Sequence, residues 1–300
     1  SVLTLLAPIW IRLGISAAKS ATTPHLIIFQ KPSGAPISSG IIGAMLQVIT
    51  KKHHHFDVPD ILPDRDYNWV GRLLKENGES QEVDLYSKSL SQYYMVMSAS
   101  LDENGIVSGD LSRRHIGLQA LKYREKYTGF SKEEKEDYLL NSMGLSEVRD
   151  VNIANIEDLD KPVVESLNFE LRNSADKIDS KMYLTPLLFF RQAENPFTAS
   201  ERQFAIDILY PLSITKMSNI KIPDGYQVES LPPPLRMSLP DKTGSFLFNV
   251  TESQGVINVM SRLILNEPRI PAHLYLDLKD FYRQLVEKEN EKVVLGKITP

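Results

Sequence analysis

The stretch SQYYMVMSASLDENGIVSGDLSRRHIG, residues 91–117, constrains the fold more than any other part of this chain. Two apolar-patterned runs flank Asp102-Glu103-Asn104-Gly105. Asn-Gly at the end of a short polar insert is a strong hairpin signal, because both residues accept the positive φ of a tight strand-to-strand turn. Similar punctuation continues downstream. Strands are expected at 147–155, 163–173, 203–212, 217–222, 226–231, 244–251 and 255–265, with a closing strand at 292–298. Many short strands at regular spacing predict antiparallel β-sandwich-like layers. The run LPPPL (231–235) lacks backbone donors and belongs to a loop or a sheet edge. MVM (95–97) and FLF (246–248) read as core or edge strands.

Helices interrupt this pattern. Residues 118–127 carry apolar side chains near helical spacing. Residues 131–144 open with Ser131 and Glu134 three positions on, a capping box, and close at Gly144. Leu278, Phe281, Tyr282 and Leu285 recur at i, i+3, i+4, i+7, which predicts an amphipathic helix over about 275–289. The fold class is therefore mainly β with some α (α+β).

The N-terminal part is less regular. Residues 2–13 read as an amphipathic or buried helix ending at Gly14, cut off at its start as in a fragment or processed product. The run is shorter than the roughly 20 apolar residues of a membrane span, and Arg12 interrupts it. It also lacks the basic region of a signal peptide. HLIIF (25–29) reads as a short strand, and 41–58 as strand, turn and strand.

Three hundred residues with 42% hydrophobic content suffice for two domains or one large one. The net charge of −4 and the pI near 5.9 offer no basic face for nucleic acid. The absence of cysteine removes disulfides, thiolate zinc sites and a cysteine nucleophile from these residues.

KKHHHFDVPDILP (51–63) is the densest cluster of chemistry-bearing side chains. On a strand, His53, His55 and Asp57 share one face and His54 takes the other. Two histidines and a carboxylate suit zinc or iron. However, neighbours on one strand cannot close a tetrahedron, and further ligands from His25, His115 or His273 fall in no recognisable spacing. Strand-edge or solvated histidines are the simpler reading, so no metal or other cofactor is expected. Asp57, Asp60, Asp64 and Asp66 around prolines are ordinary turn chemistry. Arg113 and Arg114 of SRRH (112–115) could hold a phosphate or carboxylate; the plainer alternative is a solvated strand end. No phosphate loop, dinucleotide fingerprint or Gly-flanked nucleophilic serine is present.

Several blocks resemble the C-terminal half of large bacterial transglutaminase-like proteins, in which a domain of unknown function follows a transglutaminase-like core. They are LTLLAPIWIRLGISA (3–17), DRDYNWVGRLL (64–74), GIVSGDLSRRHIGLQALKYREKY (105–127), NPFTASERQFAIDILYP (195–211), IPDGYQVESLP (222–232) and FYRQLVEKENEKVVLGK (281–297). The family's chemistry rests on a Cys-His-Asp triad. The resemblance places its cysteine at or before Ser1, its histidine position at Gln47 in MLQVI (45–49), and its aspartate at Asp57. A glutamine side chain cannot act as a general base near neutral pH. Gln47 and Asp57 are then relict triad positions, unless one of His53–His55 replaces the base.

The resemblance thus implies a truncated core remnant over 1–68, a β-rich middle domain over 69–215, and a C-terminal sandwich-like domain over 216–300. It implies a non-catalytic binding or scaffolding module, with an unidentified protein, peptide or glycan partner, in the periplasm or at the cell surface. The alternative is the C-terminal part of a cysteine-dependent amidase or peptidase whose nucleophile lies upstream.

Overall fold

The computed structural model describes residues 27–29, 67–68, 70–74 and 79–298. The expected helix at 2–13, the strands of 41–58, and Gln47, His53, His55 and Asp57 lie outside the described residues. The chain separates into two compact units. One comprises residues 1–89 with 207–210, and the other comprises 90–206 with 211–300.

In the first unit, β1 (Ile27–Phe29) runs parallel to β2 (Val70–Leu74), which pairs antiparallel with β3 (Ser80–Asp84). β1 falls within the expected strand 25–29. Asn68 is buried at positive φ (61°), and its backbone N–H donates to the Leu85 carbonyl at 3.2 Å. Its side-chain amide donates to Asp207 Oδ1 at 2.5 Å and to the Leu209 carbonyl at 3.2 Å. The asparagine of DRDYNWVGRLL thus pins a loop 139 residues away in sequence.

The second unit is built on an eight-stranded sheet. Its strands are β4 (Ser91–Leu101), β5 (Val107–Ile116), β6 (Glu147–Ala154), β7 (Val163–Leu171), β11 (Leu212–Lys221), β13 (Leu235–Ser238), β14 (Gly244–Ser253) and β15 (Val256–Leu265). They lie in the order β13-β14-β15-β11-β4-β5-β7-β6. The β4–β5 hairpin forms where Asn-Gly predicts it. Gly105 sits at φ 80°, and Asp102 Oδ1 accepts from the N–H groups of Asn104 and Ile106, each at 2.8 Å. A four-stranded sheet has the order β12-β17-β9-β8, built from β8 (Ala175–Ile178), β9 (Lys181–Leu184), β12 (Tyr226–Ser230) and β17 (Val293–Lys297). Two short strands, β10 (Ile206–Asp207) and β16 (Arg269–Ile270), complete the numbering.

The mainly β α+β class holds, with differences in detail. The expected strands at 203–212 and 217–222 become the two-residue β10 and one continuous strand, β11, which starts at Leu212. The β8–β9 hairpin was not anticipated. β11 runs parallel to β4, with Met217 opposite Val96, whereas its other neighbour β15 is antiparallel. Parallel neighbours need a long crossover, and residues 102–211 supply it. The expected boundary at 215/216 falls inside β11. The prolines of LPPPL immediately precede β13, which is an edge strand as their missing donors require.

Alternation decides which face is buried. Met95, Met97, Leu111, Leu167, Phe169, Ile257, Phe246 and Phe248 project to one face and are almost fully buried. Val96 and Met217, one residue out of phase, are each 40% exposed on the other. Two helices cover the inner face. α1 (Leu118–Tyr127) lies against β4, β5 and β7, while α3 (Tyr275–Asn290) lies against β13 and β14. α2 (Lys132–Met143) starts with the expected capping box. Ser131 Oγ accepts the Glu134 N–H at 3.1 Å, and the Glu134 carboxylate accepts the Ser131 N–H at 2.8 Å. It ends at Gly144 in the left-handed conformation.

Candidate functional site

β5 alternates Arg113 and His115 onto the inner face and Arg114 outward, so the two arginines of SRRH cannot close on one external anion. Arg114 is exposed. Arg113 finds an internal carboxylate instead, that of Glu165, its direct partner on β7. Its Nε donates to Glu165 Oε1 at 2.6 Å, and its terminal amine forms an ion pair with the same oxygen. Tyr123 of α1 donates its hydroxyl to the other oxygen, Oε2, at 2.5 Å. Glu165 has no exposed surface, so a second and third donor are what make a buried charge tolerable.

Aromatic rings surround this pair. His115 lies 5.0 Å from the Tyr93 ring and 4.5 Å from the Tyr123 ring, and Tyr123 stacks on Tyr127 at 4.3 Å. Phe130 and Tyr138 meet Tyr127 edge-on and pack against the same cluster. The electrostatic consequences follow from burial. Desolvation holds His115 neutral, its pKa lowered to about 3, with the Arg113 charge adding to the effect. Desolvation also raises Tyr93, Tyr123 and Tyr127, the last to about 12. Burial, the largest single influence, would lower Arg113, but the Glu165 charge and hydrogen bond together with the charges of Tyr93 and Tyr127 outweigh it and raise its pKa. His115 Nε2 is buried without a hydrogen-bond partner. These are the residue types of acid–base chemistry, packed between helix and sheet.

Two further buried charges behave similarly. Glu289 of α3, 1% exposed, accepts from Lys216 Nζ at 2.7 and 2.9 Å, from Ser261 Oγ at 2.5 Å and from the Gln192 N–H at 2.5 Å. Arg124 of α1, 2% exposed, donates to the carbonyls of Asn155, Ile156, Asp158 and Lys161 at 2.5–3.0 Å. It pins the loop between β6 and β7, and its burial lowers its pKa.

The surface carries an open cleft of about 580 Å³, lined by residues that include Arg172, Asp176, Tyr183, Phe189, Arg191 and Lys292. That volume is within the usual range for ligand sites. His273 lies on an exposed turn, Ala272–Leu274. Among the described residues, no three of His, Cys, Asp and Glu converge as metal ligands. No described helix is long and apolar enough to cross a membrane. His25, His53, His55, Gln47 and Asp57 fall outside the described residues.

Residues 180–295 match a domain of unknown function of solved structure (DUF3858). That match covers less than half of the chain and fits a C-terminal domain of unknown function. No curated protein matches the chain. Among solved structures, a candidate protease from Parabacteroides distasonis is similar at 14% identity and a TM-score of 0.30. The match covers 33% of this chain and 19% of that one. This chain therefore spans much less than two thirds of that protein's length. Baculovirus P35 matches at 10% identity and a TM-score of 0.14, over 70% of this chain and 97% of that one.

Proposed function

We propose that this chain is a non-catalytic binding or scaffolding module of the transglutaminase-like group, working in the periplasm or at the cell surface. The observation that carries the reading is the fate of Arg113, His115, Tyr123 and Glu165. A general base must reach the proton it abstracts, and here the carboxylate is saturated by Arg113 and Tyr123 while the imidazole is sealed among aromatic rings. Charges that could do chemistry instead hold α1 to the sheet. The match to a domain of unknown function spans the NPFTASERQF, IPDGYQ and FYRQLVEKEN blocks, which supports a relation to the C-terminal half of that group. Gln47 and Asp57 are relict triad positions in this reading.

The test, run on the full product of the gene that encodes this chain, is incorporation of a fluorescent primary amine into a glutamine-containing protein, together with hydrolysis of fluorogenic peptides. The expected result is no turnover above a heat-inactivated control. Turnover abolished by Asp57→Asn would instead establish the enzyme reading.

A further inference from the structure

We propose that the cleft beside β8 takes an acidic, extended peptide segment, which adds to the β8 edge and places a carboxylate on Arg191. The proposal rests on the binding-module reading and names its partner class. Arg191 is the first observation. Its Nε donates to Asn290 Oδ1 at 2.9 Å and its Nη1 to the Leu188 carbonyl at 2.8 Å. Both partners are neutral, and the second terminal amine has no bond among the described residues. The guanidinium is thus held in place with no carboxylate partner among the described residues, the preorganised state that suits carboxylate recognition.

The cleft around it is cationic in a chain that is acidic overall. Arg172 and Lys292 line it with Arg191, against the single carboxylate of Asp176. Lys292 pairs with Asp176 at 2.5 Å, and Arg172 shares only its Nε with Glu170, at 2.8 Å. Exposed pairs of this kind are worth little and yield readily to a competing carboxylate.

The second observation is independent. β8 ends the four-stranded sheet, and its outer edge pairs with no strand among the described residues. The other edge strand, β12, carries a bulge between Val228 and Ser230, and β6 carries one between Arg149 and Asn152. Both devices discourage strand addition. β8 carries no such bulge, although it is only four residues long and bears an exposed lysine, Lys177, so the edge admits a short segment. Ile178, 58% exposed, shares the strand face of Asp176, which lines the cleft. Backbone pairing along an open edge with one charged pocket beside it is the β-augmentation mode of peptide recognition.

The probe is a fluorescein-labelled eight-residue peptide alternating Glu and Val, followed by anisotropy against its Gln-Val counterpart and a backbone N-methylated Glu-Val version. Saturable binding is expected that weakens at least tenfold in the Gln peptide, in the N-methylated peptide, and in Arg191→Ala. Arg172→Ala should weaken it by a smaller factor without touching the Asn290 and Leu188 contacts. Equal binding of the Glu and Gln peptides, or undiminished binding by Arg172→Ala and a folded Arg191→Ala, would overturn the carboxylate assignment. Undiminished binding of the N-methylated peptide would overturn strand addition. No binding of the Glu peptide at millimolar concentration would sink the whole proposal. The amine-incorporation assay would still decide the non-catalytic reading separately.

Discussion

Acidification should unfold the second unit earlier than its carboxylates alone require, and His115 is the reason. In the folded chain its pKa is lowered to about 3, because charging it would place an imidazolium among Tyr93 and Tyr123 beside Arg113. In the unfolded chain it returns to about 6.5. Between those values the unfolded state binds the extra proton, so stability is fully present above pH 6.5 and falls as pH drops. The limiting slope is about 1.4 kcal/mol per pH unit. Integrated from neutral pH to pH 5, the loss is about 2 kcal/mol. Carboxylates add their own losses below about pH 4.5, so pH 6.5–5 is the window to read. Urea midpoints by circular dichroism should move by about 1 M across it for an m-value of about 2 kcal/mol/M.

His115→Phe isolates the effect from the other histidines. It keeps an aromatic ring between Tyr93 and Tyr123 and removes the unpartnered Nε2. The variant should be within about 1 kcal/mol of the parent at pH 7.5, or more stable, since a buried unsatisfied polar atom is costly. Its midpoint should be flatter between pH 6.5 and 5. The same acid slope in parent and variant would refute the reasoning, as would a loss above about 3 kcal/mol at pH 7.5.

Glu165→Gln should cost about 3–5 kcal/mol by leaving the Arg113 charge without its partner, and Arg113→Met/Glu165→Leu should recover most of it; denaturant titration of the double-mutant cycle measures the coupling. Arg124→Lys should release the four carbonyls of the 155–161 loop, and limited proteolysis with mass spectrometry should then find new cleavage there before any global unfolding. Ser131→Ala should remove the α2 cap at a cost of about 1 kcal/mol in thermal or urea unfolding, with no change at the β8 cleft.

Local rules made part of this fold legible before the structure. The Asn-Gly turn, the Ser131–Glu134 box, the Gly144 cap and the i, i+3, i+4, i+7 spacing of α3 are short-range signals, and each element appears where they put it. The β11–β4 pairing joins residues more than a hundred positions apart, and nothing local encodes it. The buried ion pairs were also missed, although a signal existed. Glu165 occupies an inward phase of VVESLNFEL with Val163, Leu167 and Phe169. Lys216 likewise shares a phase with Ser218 and Ile220. A charge on an apolar phase calls for a buried partner. Its identity requires the register that sets Arg113 opposite Glu165. The β8 cleft gave no linear signature, because Arg172, Arg191 and Lys292 meet only through the packing of separate strands and loops.

The parallel contact between β11 and β4 bears on how this chain can be dissected. The segment that matches the domain of unknown function begins at residue 180, so a fragment cut there keeps β11, β14 and β15 and discards β4. Ten consecutive residues of β11, Leu212–Lys221, would lose their neighbour and present a long unpaired edge to other molecules. Such an edge templates intermolecular pairing. The isolated fragment is therefore expected to self-associate in a concentration-dependent way, and adding residues 91–171 back should suppress that association.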